Sequence, residues 1–438
     1  MLLKDERNPF YRNEDRHRRY EEGTRSPLEV RDAFERDYGR IIHSFAFRRL
    51  QAKKQVIGTD AGDLHRTRLT HSMEVAQIAR GIALFLNRTA TELPEGEKID
   101  ISLVEAAGLA HDLGHPPFGH EGEQSLNRAM AHYGGFEGNA QTFRILTRLE
   151  GKKGEGLNLT RGLLLAVMKY PILYEEARGK KINSQASHPP KTSAYGNDHE
   201  AYSWALSPFT KQEKRFLMET MSWEDGYRRT VRKPFECSII ELADDIAYST
   251  HDLEDAVNLK LVDLHELCEI LSQEPWAHSY AEIKDALRLA QQLKYGQDSF
   301  LHQLKQVFAL LISVFVNHIT VEKMGEEIFS KRLRFQAVLP PELKKLNQHL
   351  KQIVHERVIQ STPVRVLAWK ADRVVRLIFE AMMNDKRLLP VPDRRRITEH
   401  NEDEAFHARV VCDYIAGMTD PYALKVYDSL YGTGKVSY

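Results

Sequence analysis

The chain has 438 residues, is 42% hydrophobic, and carries 62 Lys plus Arg against 62 Asp plus Glu. That balance excludes a global electrostatic pull toward nucleic acid or membrane, so charge must act locally. Cys237, Cys268 and Cys412 stand far apart with no CxxC pair, which argues against a zinc ribbon or a disulfide scaffold and for a reducing compartment.

The N-terminus turns charged at Lys4 and lacks the apolar region of a signal peptide. The most apolar run, Val307 to Val316, is too short to span a bilayer, so a cytoplasmic chain with no membrane partner is expected. Residues 4–40 are dense in charge and read as a solvated arm, the alternative being an arm that reaches a neighbouring subunit or an anionic ligand. From Ile41 to Gln55 the apolar spacing is helical, with Arg48, Arg49, Lys53 and Lys54 interspersed. A Gly/Asp loop at 57–65 leads to a helix with Thr70 as its expected N-cap and His71 in its first turn.

A small, apolar helix over 102–110 then delivers the adjacent pair His111-Asp112, and Gly114 and Pro116-Pro117 stop regular structure beyond it. Helices are expected at 142–149 and 160–169, the latter ending in Lys169-Tyr170-Pro171. Residues 183–199 are polar and rich in turn formers, so a loop is expected there with His188 and His199 facing solvent. A well-packed helix over 237–256 places Asp244, Tyr248 and Asp252, four residues apart, on one face. Beyond 257 the spacing is helical at 277–294, 300–317, 341–359, 364–384 and 405–416, with no sustained strand pattern. The expected fold is all-α: one large helical domain over 1–438, with a metal-site core at about 65–256 and a C-terminal helical part, 257–438, packed on it.

Residues 111–123 concentrate three histidines and three carboxylates. A lone histidine such as His71 is more often structural than a ligand. It becomes a candidate because His111-Asp112 lies downstream, and Asp244 supplies the fourth partner, since a carboxylate on so apolar a helix is costly to bury unless paired or bound to metal. Two histidines and two aspartates suit a divalent ion with positions left for water and a phosphate oxygen. Mg or Mn is the chemical default for phosphate work, and His ligands also accept Fe, Ni, Zn or Co. His115, His120 and Glu123 form an acid–base relay, in which a carboxylate behind a histidine orients it. Arg68 can clamp a phosphate next to the metal, and Lys169 with Tyr170 a more distant one. The chain has no GxxxxGK[ST] loop, no GxGxxG cofactor turn and no GxSxG nucleophile.

The order His71, His111-Asp112, Asp244 resembles the H…HD…D signature of HD-domain metal-dependent phosphohydrolases. The flanks Arg66 to Val75, His111 to Glu123, Glu137 to Arg144, Lys169-Tyr170-Pro171, Ala243 to Tyr248 and Asp413 to Asp420 are similar to the deoxyguanosinetriphosphate triphosphohydrolase family, in its triphosphohydrolase-like branch, over nearly the whole chain. The resemblance implies an all-α fold and hydrolysis of a deoxynucleoside triphosphate (dNTP) to deoxynucleoside and inorganic triphosphate, by water attack at the α-phosphorus. It implies His71, His111, Asp112 and Asp244 as metal ligands, His120 with Glu123 as the acid–base pair, and His115 on the α-phosphate. It further implies Arg68, Lys169, and His65 or Arg66 on the phosphate chain, Gln55 and Asp252 on the sugar 3′-hydroxyl, and Tyr248 stacked on the deoxyribose. Ring-like homo-oligomers, often hexamers, and responses to an allosteric nucleotide or single-stranded DNA also belong to the family. The competing readings are another HD-type phosphoesterase, acting on nucleoside monophosphates, cyclic dinucleotides or nucleic acid, and a nucleotide-sensing regulator with a vestigial site.

Overall fold

The computed structural model describes residues 8–23, 26, 28–55, 66–152, 154–179, 188–223, 225–274, 279–325, 327–399 and 403–432. The expected loop at 57–65, with His65, and the first part of the 183–199 loop lie outside the described residues. Helix accounts for 63% of the chain, so the class is all-α. Among the described residues two short antiparallel strand pairs interrupt it, Thr220–Ser222 with Arg228–Thr230 and Thr320–Lys323 with Phe335–Val338. The second pair lies beyond 257, where only helix was expected; its strands are four residues long, too short for an alternation to stand out.

Three helices build the frame of the site. The first, Arg68–Thr89, starts at Thr67, whose side chain accepts from Thr70 N, so the cap lies one turn earlier than the expected Thr70. It buries Val75, Ile78, Ala79, Ile82 and Leu86 together with His71. The second, Ile101–Ala110, is capped by Asp100, which accepts from Leu103 N at 2.9 Å, and is buried over most of its surface. These two helices touch at Gly108, where an added Cβ would sit 2.8 Å from Ala76 Cα. A residue without a side chain is required there for the backbones to approach this closely. The third, Phe235–Asn258, packs against both and buries Ile239, Ala243, Ile246 and Leu253. No helix among the described residues is long and apolar enough to cross a membrane.

Among the described residues of the N-terminal segment, the stretches around 10–15 and 33–41 are packed rather than a solvated arm, while no described residue of 21–32 is buried. Phe10, Tyr11 and Phe34 are buried, and Asp32 caps a helix over Ala33–Ile42. Its charges are neutralised by distant partners: Arg18 donates to Asp37 at 2.5 Å, and Asp15 accepts from Arg332 at 2.9 Å. The expected helix over 41–55 is broken at His43-Ser44, where Ser44 caps a new short helix by accepting from Phe47 N.

A second apolar core joins the stretch after His111-Asp112 to the C-terminal helices. Phe118, Leu126, Met130 and Phe136 pack with Val375 and Ile378 of the Thr362–Asn384 helix and with Val411 and Ile415 of Glu404–Ala416. Polar ties reinforce it. Asp420 accepts from Lys54 N at 3.0 Å and Phe118 N at 2.9 Å, and Lys53 Nζ donates to His115 O at 2.6 Å and Ala416 O at 2.9 Å.

Candidate metal and acid–base site

The helix frame brings His71, His111 and Asp112 into one cluster, their ligand atoms within 4.8 Å of one another. His111 Nδ1 is 2.6 Å from Gly108 O. A donor at Nδ1 fixes the tautomer and leaves Nε2 with its lone pair available. That Nε2 is buried without a hydrogen-bond partner, 3.4 Å from Asp112 Oδ1 and 3.7 Å from Asp244 Oδ1. Asp244, from the Phe235–Asn258 helix, places Oδ1 3.1 Å from His71 Nε2. A buried imidazole lone pair among two carboxylates and a second imidazole is a donor set that fits a divalent cation. Burial opposes the charge on Asp244, but the hydrogen bond from His71 and the proximity of His111 and Lys169 hold it well below the usual carboxylate range. Asp112 is likewise held low against burial, by His115, His111 and Arg68. Arg68 Nη1 donates to Asp112 Oδ2 at 2.5 Å, so this cation orients a candidate ligand carboxylate as well as facing the cavity.

A second cluster, His115, His120 and Glu123, lies alongside. His120 Nδ1 is 3.3 Å from Glu123 Oε2, and the His120 ring meets that of His115 edge-on at 5.6 Å. Glu123 is buried and its Oε1 accepts from Gly138 N at 2.8 Å. Burial, then Arg68, pushes the His115 imidazole down to about 4, which makes it neutral at pH 7.

Both clusters open into a cavity of about 1120 Å³. Of the residues expected to serve substrate, Gln55, Arg68, Lys169, Tyr170 and Tyr248 line it. Asp252 does not line it: the side chain is buried one turn beyond Tyr248, Oδ2 has no hydrogen-bond partner, and burial pushes its carboxyl up to about 7. Arg66 turns away from the cavity, donating to Glu74 at 3.0 Å and Glu254 at 2.7 Å and pairing with Asp255. Three carboxylates satisfy its guanidinium, which the sequence pattern concealed.

Sequence reasoning missed several cations of the cavity wall: Lys191, Arg229, Lys351 and Arg365. His188 was expected to face solvent. It is exposed, yet it also lines the cavity, and residues 189–190 and 192–195 of the same expected loop are buried. Pro189-Pro190 and Lys191-Thr192 sit in a stretch with no periodic signature, so only the path of the chain reveals them.

Residues 68–248 match the HD domain family, and residues 337–429 match a family described as a phosphohydrolase-associated domain. The chain is 38% identical over 423 residues to the deoxyguanosinetriphosphate triphosphohydrolase-like protein of Shewanella halifaxensis (strain HAW-EB4), covering 92% of each chain. It is 36% identical over 442 residues to the protein of the same name from Vibrio parahaemolyticus serotype O3:K6 (strain RIMD 2210633), covering 96% of this chain and 97% of the relative.

Proposed function

Since this chain belongs to the deoxyguanosinetriphosphate triphosphohydrolase-like family of HD-domain phosphohydrolases, we propose that it hydrolyses a dNTP to deoxynucleoside and inorganic triphosphate. The observation that carries this reading is one cavity holding a His/Asp metal-ligand cluster, a separate His120–Glu123 pair and a cationic wall.

His71, His111, Asp112 and Asp244 would hold a divalent ion, with Mg or Mn the chemical default. When bound, such an ion polarises a phosphoryl oxygen and acidifies water. The chain's own residues do the rest. Arg68 keeps Asp112 ionised and in place. His115, neutral and half-buried, hydrogen-bonds an α-phosphate oxygen without adding charge. His120, oriented by Glu123, takes the proton of the attacking water and returns a proton to the 5′-oxygen. The new bond joins the water oxygen to the α-phosphorus, and the bond from that phosphorus to the 5′-oxygen breaks. Lys169 and Tyr170 hold the outgoing triphosphate, and the Tyr248 ring lies on the deoxyribose face and leaves no room for a 2′-hydroxyl. Gln55 and Asp252 read the 3′-hydroxyl, which for Asp252 requires its buried carboxyl to become reachable on binding.

The same reading carries homo-oligomerisation, with a hexamer as the expected form, and a response to an effector nucleotide or single-stranded DNA. It also carries one cooperative helical unit over the whole chain, and a cytoplasmic location. Light scattering tests the first. A screen of the four dNTPs, singly and mixed, with and without oligonucleotide, tests the activity and its effectors together. Inorganic triphosphate plus deoxynucleoside supports the proposal; deoxynucleoside monophosphate or orthophosphate as first product would replace it with a different HD phosphoesterase.

A further inference from the structure

Glu123 and Glu137 approach each other around a single turn of backbone. Glu123 Oε1 accepts from Gly138 N at 2.8 Å, and Glu137 Oε2 accepts from Ala140 N at 2.9 Å. Both carboxyl groups are buried, at 3% and 0% exposure. Two buried carboxylates capping the same helix start disfavour each other's charge unless a cation stands by. Lys191 is that cation. Its Nζ lies 3.5 Å from Glu137 Oε1 and its side chain forms part of the wall of the catalytic cavity.

The backbone that carries Lys191 is sewn down. Thr192 Oγ1 donates to Ile172 O at 2.5 Å, Ser193 N donates to the same oxygen at 3.3 Å, and Ser193 Oγ accepts from Tyr170 N at 2.9 Å. Tyr174 N donates to Ala194 O at 2.9 Å. The backbone next to Lys191 is thus tied to the strip Tyr170 to Tyr174, of which Tyr170 lines the cavity.

We propose that Lys191 is a positioning residue for the His120–Glu123 pair: its ammonium keeps the buried Glu123 ionised, so that Oε2 stays aimed as an acceptor at His120 Nδ1. The inference rests on the acid–base reading above. The electrostatics agree with the geometry. Burial drives Glu123 toward its neutral form, and the charge of Lys191 together with the hydrogen bond from His120 holds it below the usual range. Glu137, facing Glu123 and Lys191, is pushed up to about 7 by burial and by the charge on Glu123, with Lys191 opposing. Of the buried pair, Glu123 therefore keeps the charge, and it is the member that touches His120.

The test compares wild type, K191M and K191R, each saturated with diamagnetic Mg and checked for metal content. The Glu123 carboxyl is followed by ¹³C NMR, its resonance assigned with E123Q. The expected result for K191M is a Glu123 titration at least about one pH unit higher and kcat about 10- to 100-fold lower. Its acidic limb of kcat against pH moves up in step, KM stays within about threefold, and K191R restores most of the loss. K191Q, which keeps a donor without the charge, replaces K191M if the latter does not fold. An unmoved Glu123 titration, or a rise in KM alone, would overturn the proposal and make Lys191 a substrate contact instead. If wild type releases triphosphate from no dNTP, the functional reading fails, while the NMR titration still decides the role of Lys191.

Discussion

His71 Nε2 and Asp244 Oδ1 stand 3.1 Å apart although 173 positions separate them in the chain. The Phe235–Asn258 helix closes that gap by packing against both the His71 helix and the Ile101–Ala110 helix. Asp244→Asn keeps the shape of the side chain but removes one of the anionic groups proposed to hold the ion. Metal content is expected to fall from about one ion per chain by ~10- to 100-fold in retention after dialysis, with turnover lost in parallel. Plasma emission spectrometry checks it; full metal retention in D244N would remove Asp244 from the ligand set.

Gly108 sets the separation of His71 from His111, whose ring centroids are 5.6 Å apart. In Gly108→Val the side chain runs into the Ala76 backbone, since even a Cβ meets Ala76 Cα at 2.8 Å. Overpacking of a tight helix crossing costs about 1–3 kcal/mol. Both the denaturation midpoint and metal affinity should drop. A variant as stable as wild type with full affinity would show that the crossing does not set the site.

On the proposed mechanism His120 and Glu123 do chemistry and do not hold the ion. His120→Ala is expected to lower kcat by about 10²- to 10⁴-fold with metal content unchanged. Steady-state kinetics with metal analysis checks this. Loss of the ion together with turnover would move His120 into the ligand set.

Tyr248 lines the cavity one helical turn from Asp244. Tyr248→Ala opens the space next to the sugar and should narrow the preference for dNTP over the ribonucleotide by about 10-fold or more in kcat/KM. Competition between a dNTP and its ribo counterpart measures it. An unchanged ratio would show that the ring does not read the 2′ position.

Lys53 gives the pH dependence of stability. Burial pushes its ammonium from the ordinary 10.5 down to about 7, with Asp420 opposing. Below about pH 7 both the folded and unfolded chains carry this proton, and the full cost of burying the charge is present. Between about 7 and 10.5 the unfolded chain holds the proton and the folded one does not, so stability rises with pH across that window, by up to about 5 kcal/mol. Lys53→Met should abolish this rise, while losing stability overall because His115 O and Ala416 O lose their donor. Denaturant midpoints from pH 7 to 10 compare the two. A parallel rise in K53M would assign the slope to other groups.

Much of the site could be read from the chain because its signals are local. Adjacency marks His111-Asp112, and four-residue spacing puts Asp244 and Tyr248 on one helical face. The acid–base cluster follows from three residues within nine positions. What stayed hidden depends on long-range pairing. Arg66 and Arg68 look equivalent in sequence, yet the first is bound by three carboxylates and the second faces the cavity. Asp15 and Asp37 looked solvated because their partners, Arg332 and Arg18, cannot be matched to them by spacing. Lys191, Lys351 and Arg365 reach the cavity from a loop and two distant helices, and nothing in a local window sets them apart from other surface cations.

The central claim is water attack at the α-phosphorus with departure of the 5′-oxygen. It is tested most directly by single-turnover hydrolysis of each dNTP in H₂¹⁸O with mass analysis of both products. The account predicts inorganic triphosphate carrying one ¹⁸O and an unlabelled deoxynucleoside. Label in the deoxynucleoside, or deoxynucleoside monophosphate with pyrophosphate, would contradict it.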